Sequence, residues 1–265
     1  MVTDFHAHAF PDEIAPKAIE KLQQGGDIEA KLDGTTADLL RSMDRAGIDR
    51  AVICSIATRP AQFDNILRWS RDVASDRLVP LPSIHPADEH PAEQVRRVRD
   101  AGLKGIKLHP YYQDFRIDDE HIFPLYEALQ EEGLLLVSHT GFDFAFPRVR
   151  KCDPEKVLRV IRRFPNLRFV ATHLGGWQDW DEVERHLLGE PVYMETSFSV
   201  KLLSLKQARR MLRGHHANRL LFGTDSPWTD QQAATERLKN LGLDEELETR
   251  ILSQNAANLL DRVSA

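Results

Sequence analysis

The chain has 265 residues, of which 42% are hydrophobic, and a formal net charge of −6. This length suits one large domain, and a closed α/β barrel needs about 250 residues. The acidic balance, without a dense block of Lys and Arg, argues against a surface for nucleic acid or an anionic membrane. The sequence has neither the ~20-residue apolar run of a membrane span nor the layout of a signal peptide. Its two cysteines, Cys54 and Cys152, lie too far apart in sequence to indicate a disulfide framework or a thiolate cluster. We therefore expect a cytoplasmic protein.

Short β-prone runs alternate with helical patterns, which is typical of parallel strands joined by crossover helices. Eight such runs occur, at 2–8, 51–56, 78–85, 104–109, 134–139, 167–173, 191–196 and 219–224. Eight βα units are what a (β/α)8 TIM barrel requires, and no glycine-rich phosphate-binding pattern favours an open doubly wound sheet. The sequence predicts a single α/β domain over 1–265, with a small flap at 23–36 and a helix over 244–260.

Residues of metal-ligand type stand at the ends of four predicted strands. His6 and His8 are one residue apart near the end of the first strand, so that both imidazoles point the same way. His139, His173 and Asp225 come at the ends of strands five, six and eight. Since the carboxyl ends of barrel strands meet at the functional face, we expect these five side chains to face one point. Imidazole and carboxylate groups suit Zn²⁺ or a similar divalent ion, with one position left open for water.

Five further residues near strand ends or in loops allow more than one interpretation. Lys107, near the end of strand four, would pair with the strand-eight carboxylate or a substrate carboxylate, carry a carbamate that bridges two metals, or extend towards the barrel mouth. His109 precedes a proline, so turn chemistry and substrate binding both explain it. Arg148, after strand five, would hold an anionic substrate or stay solvated. Trp177 and Trp228 would line the pocket or pack between loops.

These residues and their surroundings resemble the amidohydrolase superfamily. Within it, the chain is most similar to the branch that contains aminocarboxymuconate-semialdehyde decarboxylase and related metal-dependent hydrolases. The resemblance covers essentially the whole chain. Its carriers are Asp-Phe-His-Ala-His at 4–8, Gly-Ile-Lys-Leu-His-Pro at 105–110, Phe-Pro-Asn-Leu at 164–167 leading to His-Leu-Gly-Gly at 173–176, Leu-Phe-Gly-Thr-Asp-Ser-Pro at 221–227, and Asn-Ala-Ala-Asn-Leu-Leu at 255–260.

The resemblance implies that His6, His8, His139 and Asp225 ligate one divalent metal ion. We expect Zn²⁺, and the same ligand types accept Mn²⁺, Fe²⁺ or Co²⁺. The resemblance also implies that His173 stands beside the metal and activates water. The strand-four lysine is the carbamylated bridge of binuclear relatives, but its context here is more similar to the mononuclear branch. The chain is shorter than typical decarboxylases of this branch, which carry longer insertions.

Two reactions suit such a site. The leading hypothesis is hydrolysis of a small ester, lactone or amide by a metal-activated water, with Asp225 as proton acceptor and His173 orienting the water. The alternative is non-oxidative decarboxylation of an aromatic or unsaturated carboxylic acid. Deoxyribonuclease barrels of the TatD type also open with His-x-His, but they place a glutamate on strand four where this chain has Lys107. A non-catalytic scaffold that keeps the metal for stability is a fourth hypothesis. The expected partners are a small-molecule substrate and a second copy of the chain, since relatives are often dimers.

Overall fold

Eight short parallel strands alternate with helices in the computed structural model, which describes residues 1–263. The strands are β1 Thr3–Ala7, β2 Arg50–Cys54, β3 Leu78–Leu81, β4 Gly105–Leu108, β5 Leu135–Ser138, β6 Arg168–Ala171, β7 Tyr193–Glu195 and β8 Leu220–Leu221. The helices are α1 Ala15–Gly26, α2 Thr36–Ala46, α3 Phe63–Val73, α4 Pro91–Asp100, α5 Phe123–Glu131, α6 Pro154–Arg163, α7 Trp180–His186, α8 Leu205–Gly214, α9 Gln231–Lys239, α10 Glu245–Thr249 and α11 Asn255–Asp261. The predicted TIM-barrel class is confirmed. None of the helices within 1–263 has the length and apolarity to cross a bilayer.

Backbone hydrogen bonds close the strands into a ring. The ladders form two parallel arcs, β1-β2-β3 and β4-β5-β6-β7-β8. At one seam the Lys107 N–H on β4 donates to the carbonyl of Pro82, just past β3, at 2.8 Å. At the other the Phe5 N–H on β1 donates to the carbonyl of Phe222, just past β8, at 2.7 Å. Because all the strands run in the same direction, their carboxyl ends form a single face.

Strand β5 illustrates why these strands appear as continuous apolar runs in the sequence. Leu135, Leu136 and Val137 are all fully buried, because alternate side chains face the barrel interior and the surrounding helices. Burying one such side chain contributes about 2 kcal/mol.

The observed strands are shorter than the predicted ones. β3 ends at Leu81 although the predicted run reaches residue 85, and β8 contains only Leu220–Leu221 although the predicted run spans 219–224. The apolar pattern overestimates strand length because Ile84 and Phe222 remain buried after the ladder has ended. The predicted site residues His8, His139, His173 and Asp225 therefore lie in loops just beyond the strands.

Local sequence signals position the helices around the barrel. The Thr35 side chain accepts a hydrogen bond from the Asp38 N–H at 3.1 Å and caps the start of α2. Gly47 follows the helix with φ of 66°, a conformation that favours glycine. Leu39 and Met43, one turn apart, are buried against the barrel. The helix predicted over 244–260 is present as α10, a π-helical turn Arg250–Gln254 and α11.

The segment predicted as a flap, 23–36, has two parts. Residues 23–26 form the last turn of α1, and the rest is a loop that leads to α2 at Thr36. The Lys31 N–H in this loop donates to the carbonyl of Pro227 at 2.7 Å, and Ile28 faces the pocket at the barrel mouth. The segment thus borders the mouth, and its action as a flap stays a prediction.

Candidate active site

Three of the predicted metal ligands converge at the seam between β1 and β8. His6 lies on β1, His8 follows β1 directly, and Asp225 follows β8. The Nε2 atom of His8 is 3.0 Å from Oδ1 of Asp225, and the Nε2 atom of His6 is 3.4 Å from the same oxygen. Two ligand atoms bound to one ion at about 2.1 Å lie about 3.0 to 3.4 Å apart. These separations therefore match the ligand spacing around a single ion.

A hydrogen bond on the far side of each imidazole directs its Nε2 atom towards the converging group. Nδ1 of His8 lies 2.7 Å from the carbonyl oxygen of Cys54. A carbonyl only accepts, so Nδ1 donates to it, and Nε2 is the nitrogen that faces Asp225. Within residues 1–263 the buried Oδ1 of Asp225 meets no partner with hydrogen-bond geometry. A carboxylate oxygen of this kind beside two imidazole nitrogens is a donor set that fits a divalent ion.

The charge states of these groups at neutral pH also suit a cation. Burial alone would raise the pKa of Asp225, but the imidazoles of His6 and His8 outweigh burial and hold that pKa well below its usual range. Burial, aided by the positive charge of Lys107, lowers the pKa of His6 to about 4. At neutral pH the site therefore presents an ionised carboxylate and a neutral imidazole, the forms in which these groups ligate metals.

Two site residues have a left-handed backbone that non-glycine residues rarely adopt. The φ angle is 61° at Asp225 and 56° at His173. Each conformation is held by its own N–H, which donates to the carbonyl of His6 at 2.7 Å for Asp225 and to Glu195 at 2.8 Å for His173. Such conformations cost about 1–3 kcal/mol each and concentrate at functional sites. These turns direct both side chains towards the pocket.

His139, the fourth predicted ligand, lies beside His173. Its Nδ1 atom is 3.1 Å from Nε2 of His173, and its own Nε2 lies 2.8 Å from the carbonyl oxygen of Phe142. His6, His8 and Asp225 each contribute one ligand atom to a group whose atoms all lie within 4.8 Å of one another. His139 does not belong to this group. The structure thus brings three predicted ligands together and leaves the ligand role of His139 a prediction.

Lys107 is fully buried on β4 and points into the same cluster. Its Nζ lies 3.0 Å from Nε2 of His6. The contact seen is with an imidazole nitrogen, which is not among the partners that the sequence suggested. An ammonium in this position donates to the lone pair that a metal ion on His6 would use.

Sequence reasoning missed a buried carboxylate at the end of β7. Oε1 of Glu195 lies 3.0 Å from Nδ1 of His6, and Ser197 donates its hydroxyl to the same oxygen at 2.7 Å. Burial alone would raise the pKa of Glu195, but His6 and the hydrogen bonds lower it to about 2. The signal was available, since Glu195 lies near the end of the predicted strand at 191–196, as the predicted ligands do in theirs. A second overlooked carboxylate, Asp143, lies 3.5 Å from Nε2 of His109.

A cavity of about 180 Å³ opens above the cluster at the barrel mouth. Of the residues predicted to bind substrate, Lys107, His109, Trp177 and Trp228 line it. Aromatic side chains form much of its wall: Phe10, Tyr112, Phe144, Trp177, Phe198 and Trp228. The pocket therefore combines polar groups at its floor with flat apolar sides.

Arg148 lies on the protein surface, outside the lining of this cavity. Its guanidinium donates to the side chain of Gln178 at 2.7 Å and stacks 3.8 Å from the ring centroid of Phe142. Earlier in the same loop, Gly141 lies so close to Trp177 that a Cβ on this glycine would be 2.1 Å from the Trp177 nitrogen. A contact of Arg148 with substrate stays a prediction.

Comparison with known proteins identifies the family. The family model described as amidohydrolase matches residues 3–262. This chain belongs to the amidohydrolase family. The predicted family is confirmed, and with it an enzyme of a superfamily that depends on divalent metal ions. The three-ligand group at the β1–β8 seam is the candidate metal centre of this amidohydrolase.

Individual relatives of this amidohydrolase have different activities. A dihydroorotase from Pseudomonas savastanoi pv. phaseolicola is 27% identical over 211 residues, which cover 75% of this chain and 56% of the relative. The chain spans about half the length of the curated relatives it matches. A TIM-barrel protein from Bordetella bronchiseptica has a TM-score of 0.81 with 20% identity over 99% of both chains. A 5-carboxyvanillate decarboxylase from Novosphingobium aromaticivorans, complexed with manganese, has a TM-score of 0.73 with 15% identity over 98% of this chain and 96% of the other. The two structural similarities establish the fold alone.

Proposed function

We propose that the protein is a divalent-metal-dependent hydrolase of a small ester, lactone or amide. The observation that carries the proposal is the convergence of two imidazole Nε2 atoms on the buried Oδ1 of Asp225. His6, His8 and Asp225 would hold the ion, with His139 as the fourth ligand, and Zn²⁺ is proposed ahead of Mn²⁺, Fe²⁺ or Co²⁺. When bound, such an ion polarises a carbonyl group and lowers the pKa of a water molecule.

The chain itself supplies a proton acceptor and an orienting group. Asp225 is ionised at neutral pH, because its pKa lies well below the usual range. Its second carboxylate oxygen, which does not face the two imidazoles, accepts a proton from the attacking water while the water oxygen bonds to the carbonyl carbon. The same oxygen then returns the proton to the leaving nitrogen or oxygen as that atom separates from the carbon. Nε2 of His173 accepts a hydrogen bond from the other O–H of the water, which keeps this hydrogen, and fixes the direction of attack.

The size and walls of the pocket favour a substrate with one ring. An apolar cavity of about 150 Å³ is large enough for benzene, and the cavity here measures about 180 Å³. The indole of Trp177 and the ring of Phe198 present flat surfaces that suit a planar ring. We therefore propose a single-ring carbonyl compound, or one of similar size, as the substrate class.

Turnover of single-ring lactones, amides and esters, with dihydroorotate in the panel, tests this proposal on metal-loaded protein. In water labelled with oxygen-18, hydrolysis places the label in the newly formed acid. We expect Asp225→Asn to lower kcat by about 10³-fold, because the amide cannot accept the proton. A well-folded wild-type protein that binds no divalent metal would overturn the proposal.

The buried amine of Lys107 favours a second candidate reaction. This group lines the same pocket as the aromatic side chains, and a cation in that position suits the carboxylate of an aromatic or unsaturated acid. The alternative is therefore non-oxidative decarboxylation at the same site. Release of carbon dioxide without oxygen-18 in the product would distinguish it from hydrolysis.

A further inference from the structure

Glu195 is a buried carboxylate to which the proposed reaction assigns no role. It ends β7 and is fully buried. Its Oε1 accepts the Ser197 hydroxyl at 2.7 Å and the backbone N–H of His173 at 2.8 Å. Its Oε2 accepts the backbone N–H of Ser197 at 2.6 Å. These donors fix the carboxylate in one orientation, with Oε1 3.0 Å from Nδ1 of His6.

The contacts on both sides of His6 select one tautomer. On one side, Nδ1 faces the carboxylate of Glu195, which only accepts. On the other side, Nε2 faces the amine of Lys107 at 3.0 Å, which donates when it is an ammonium. The proton therefore lies on Nδ1, and the lone pair of Nε2 accepts from Lys107, with Oδ1 of Asp225 3.4 Å away.

Ser197 extends the same selection to His173. The single hydroxyl hydrogen of Ser197 is donated to Glu195, so its oxygen must accept from any further partner. That partner is Nδ1 of His173, at 2.9 Å. The His173 proton therefore also lies on Nδ1, which places the lone pair of its Nε2 towards Nδ1 of His139, 3.1 Å away.

A glycine leaves the space that Glu195 occupies. A Cβ on Gly223 would lie 2.0 Å from Oε2 of Glu195 and 3.2 Å from Cβ of His6. Gly223 precedes Thr224 and Asp225 in the motif that follows β8. The segment 223–225 thus provides one proposed metal ligand, Asp225. It also leaves space for the Glu195 carboxylate, which orients a second proposed ligand, His6.

We infer that Glu195 is a positioning residue that sets the tautomers of His6 and His173, acting directly on the first and through Ser197 on the second. It thereby keeps the Nε2 lone pairs of both imidazoles unprotonated. Its expected effect on metal affinity rests on the proposed metal site, whereas the tautomers belong to the metal-free chain.

Metal affinity of the full chain, measured by chelator competition with Zn²⁺, tests the first consequence. Glu195→Met keeps the length of the side chain but removes the acceptor, and we expect it to weaken Zn²⁺ binding by about 10- to 100-fold. Glu195→Gln keeps one acceptor oxygen and should recover part of the loss. Gly223→Ala, which displaces the carboxylate, should weaken binding in the same direction.

Asn255→Ala is the matched structural control. Its buried side chain donates to the carbonyls of Ala217 and Leu220, both at 2.7 Å, at the other end of β8. We expect this variant to unfold at a lower temperature but to bind Zn²⁺ within about twofold of wild type, because it contacts no imidazole of the site. An equal loss of affinity in Asn255→Ala and Glu195→Met would show a merely structural role.

Long-range proton–nitrogen NMR of the metal-free protein tests the tautomers themselves. We expect His6 and His173 to carry the proton on Nδ1 in wild type and to lose that preference in Glu195→Met. Unchanged tautomers in this variant would overturn the inference even if Zn²⁺ binds. A wild type that binds no Zn²⁺ would instead overturn the metal site, and the NMR result would still decide the role of Glu195.

Discussion

Lys107 places a primary amine against the same imidazole nitrogen that a metal ion would use. The 3.0 Å contact between its Nζ and Nε2 of His6 uses the one lone pair on that nitrogen. A hydrogen bond and a metal bond cannot share this lone pair. Metal binding at His6 therefore requires the lysine side chain to move away or to lose its positive charge.

The number of ions that the site binds depends on whether the Lys107 side chain moves away or loses its positive charge. For the one-metal site we expect about one equivalent of Zn²⁺ per chain, and Lys107→Met should retain it and bind it at least as tightly, because a competing donor is removed. Elemental analysis of both proteins, purified without a histidine tag, measures this. Two equivalents in wild type that fall to one in the variant would show that Lys107 bridges two ions.

Trp177 and Arg148 offer a matched pair for the pocket wall, since only the first lines the cavity. We expect Trp177→Leu to raise KM about tenfold, because a flat aromatic surface worth about 1.4 kcal/mol is lost. Arg148→Ala, in the neighbouring loop, should change KM less than twofold. Steady-state kinetics on the identified substrate compares them, and a larger effect at Arg148 would contradict the placement of the two side chains.

At the level of elements, the sequence predicts strand order and the site better than strand ends. Apolar runs revealed all eight strands because both faces of a barrel strand are buried, as at Leu136 and Val137. The rule that ligands follow strand ends located His6, His8 and Asp225. Glu195 obeys the same rule, but its partner His6 is 189 residues away. Nothing local to the sequence signals that contact.

The seam between β1 and β8 is held by a buried carboxylate that no imidazole side chain touches. Asp4 accepts the Thr224 hydroxyl at 2.6 Å, the Gln231 amide at 2.7 Å and the backbone N–H groups of Thr224 and His6 at 2.9 and 3.1 Å. We expect Asp4→Asn to lower the free energy of unfolding by about 2 kcal/mol, because the amide NH2 replaces an oxygen that accepts from the Thr224 hydroxyl and the Gln231 amide. Urea denaturation of the metal-free protein measures the change.

The exposed carboxylate of Glu29 gives the corresponding control. It pairs with Lys31 at the protein surface, where such ion pairs contribute little. We expect Glu29→Gln to stay within about 0.5 kcal/mol of wild type. If Asp4→Asn and Glu29→Gln changed the free energy of unfolding equally, the stability of the seam would not depend on Asp4.

At the scale of the whole molecule, buried neutral histidines make stability depend on pH. Burial lowers the pKa of His215 to about 4, whereas an unfolded histidine has a pKa of about 6.5. Its Nε2 lies 2.9 Å from the carbonyl oxygen of Val192, and its Nδ1 accepts from the N–H of Gly189 at 3.3 Å. Protonation of Nδ1 would place its N–H against the N–H of Gly189, so that two hydrogen-bond donors would face each other.

Between pH 6.5 and 4 the unfolded chain therefore binds a proton at this residue that the folded chain does not. His215 therefore lowers the free energy of unfolding as the pH falls through this window, by up to about 1.4 kcal/mol per pH unit for one histidine. Between pH 7 and 4, we expect the free energy of unfolding of wild type to fall by up to about 3 kcal/mol more than that of His215→Asn. Urea titrations with chelator at several pH values measure this, and parallel curves would refute it.

The seam also sets an order of assembly. Asp4 and Thr224, whose side chains meet there, are 220 residues apart in sequence. During synthesis the two imidazoles of β1 emerge long before the carboxylate of Asp225, so an incomplete chain lacks the full ligand set. Ring closure depends on this distant pairing, which forms late because its loop-closure entropy is large. An ion held by His6, His8 and Asp225 would connect the first strand to the last and stabilise the closed barrel.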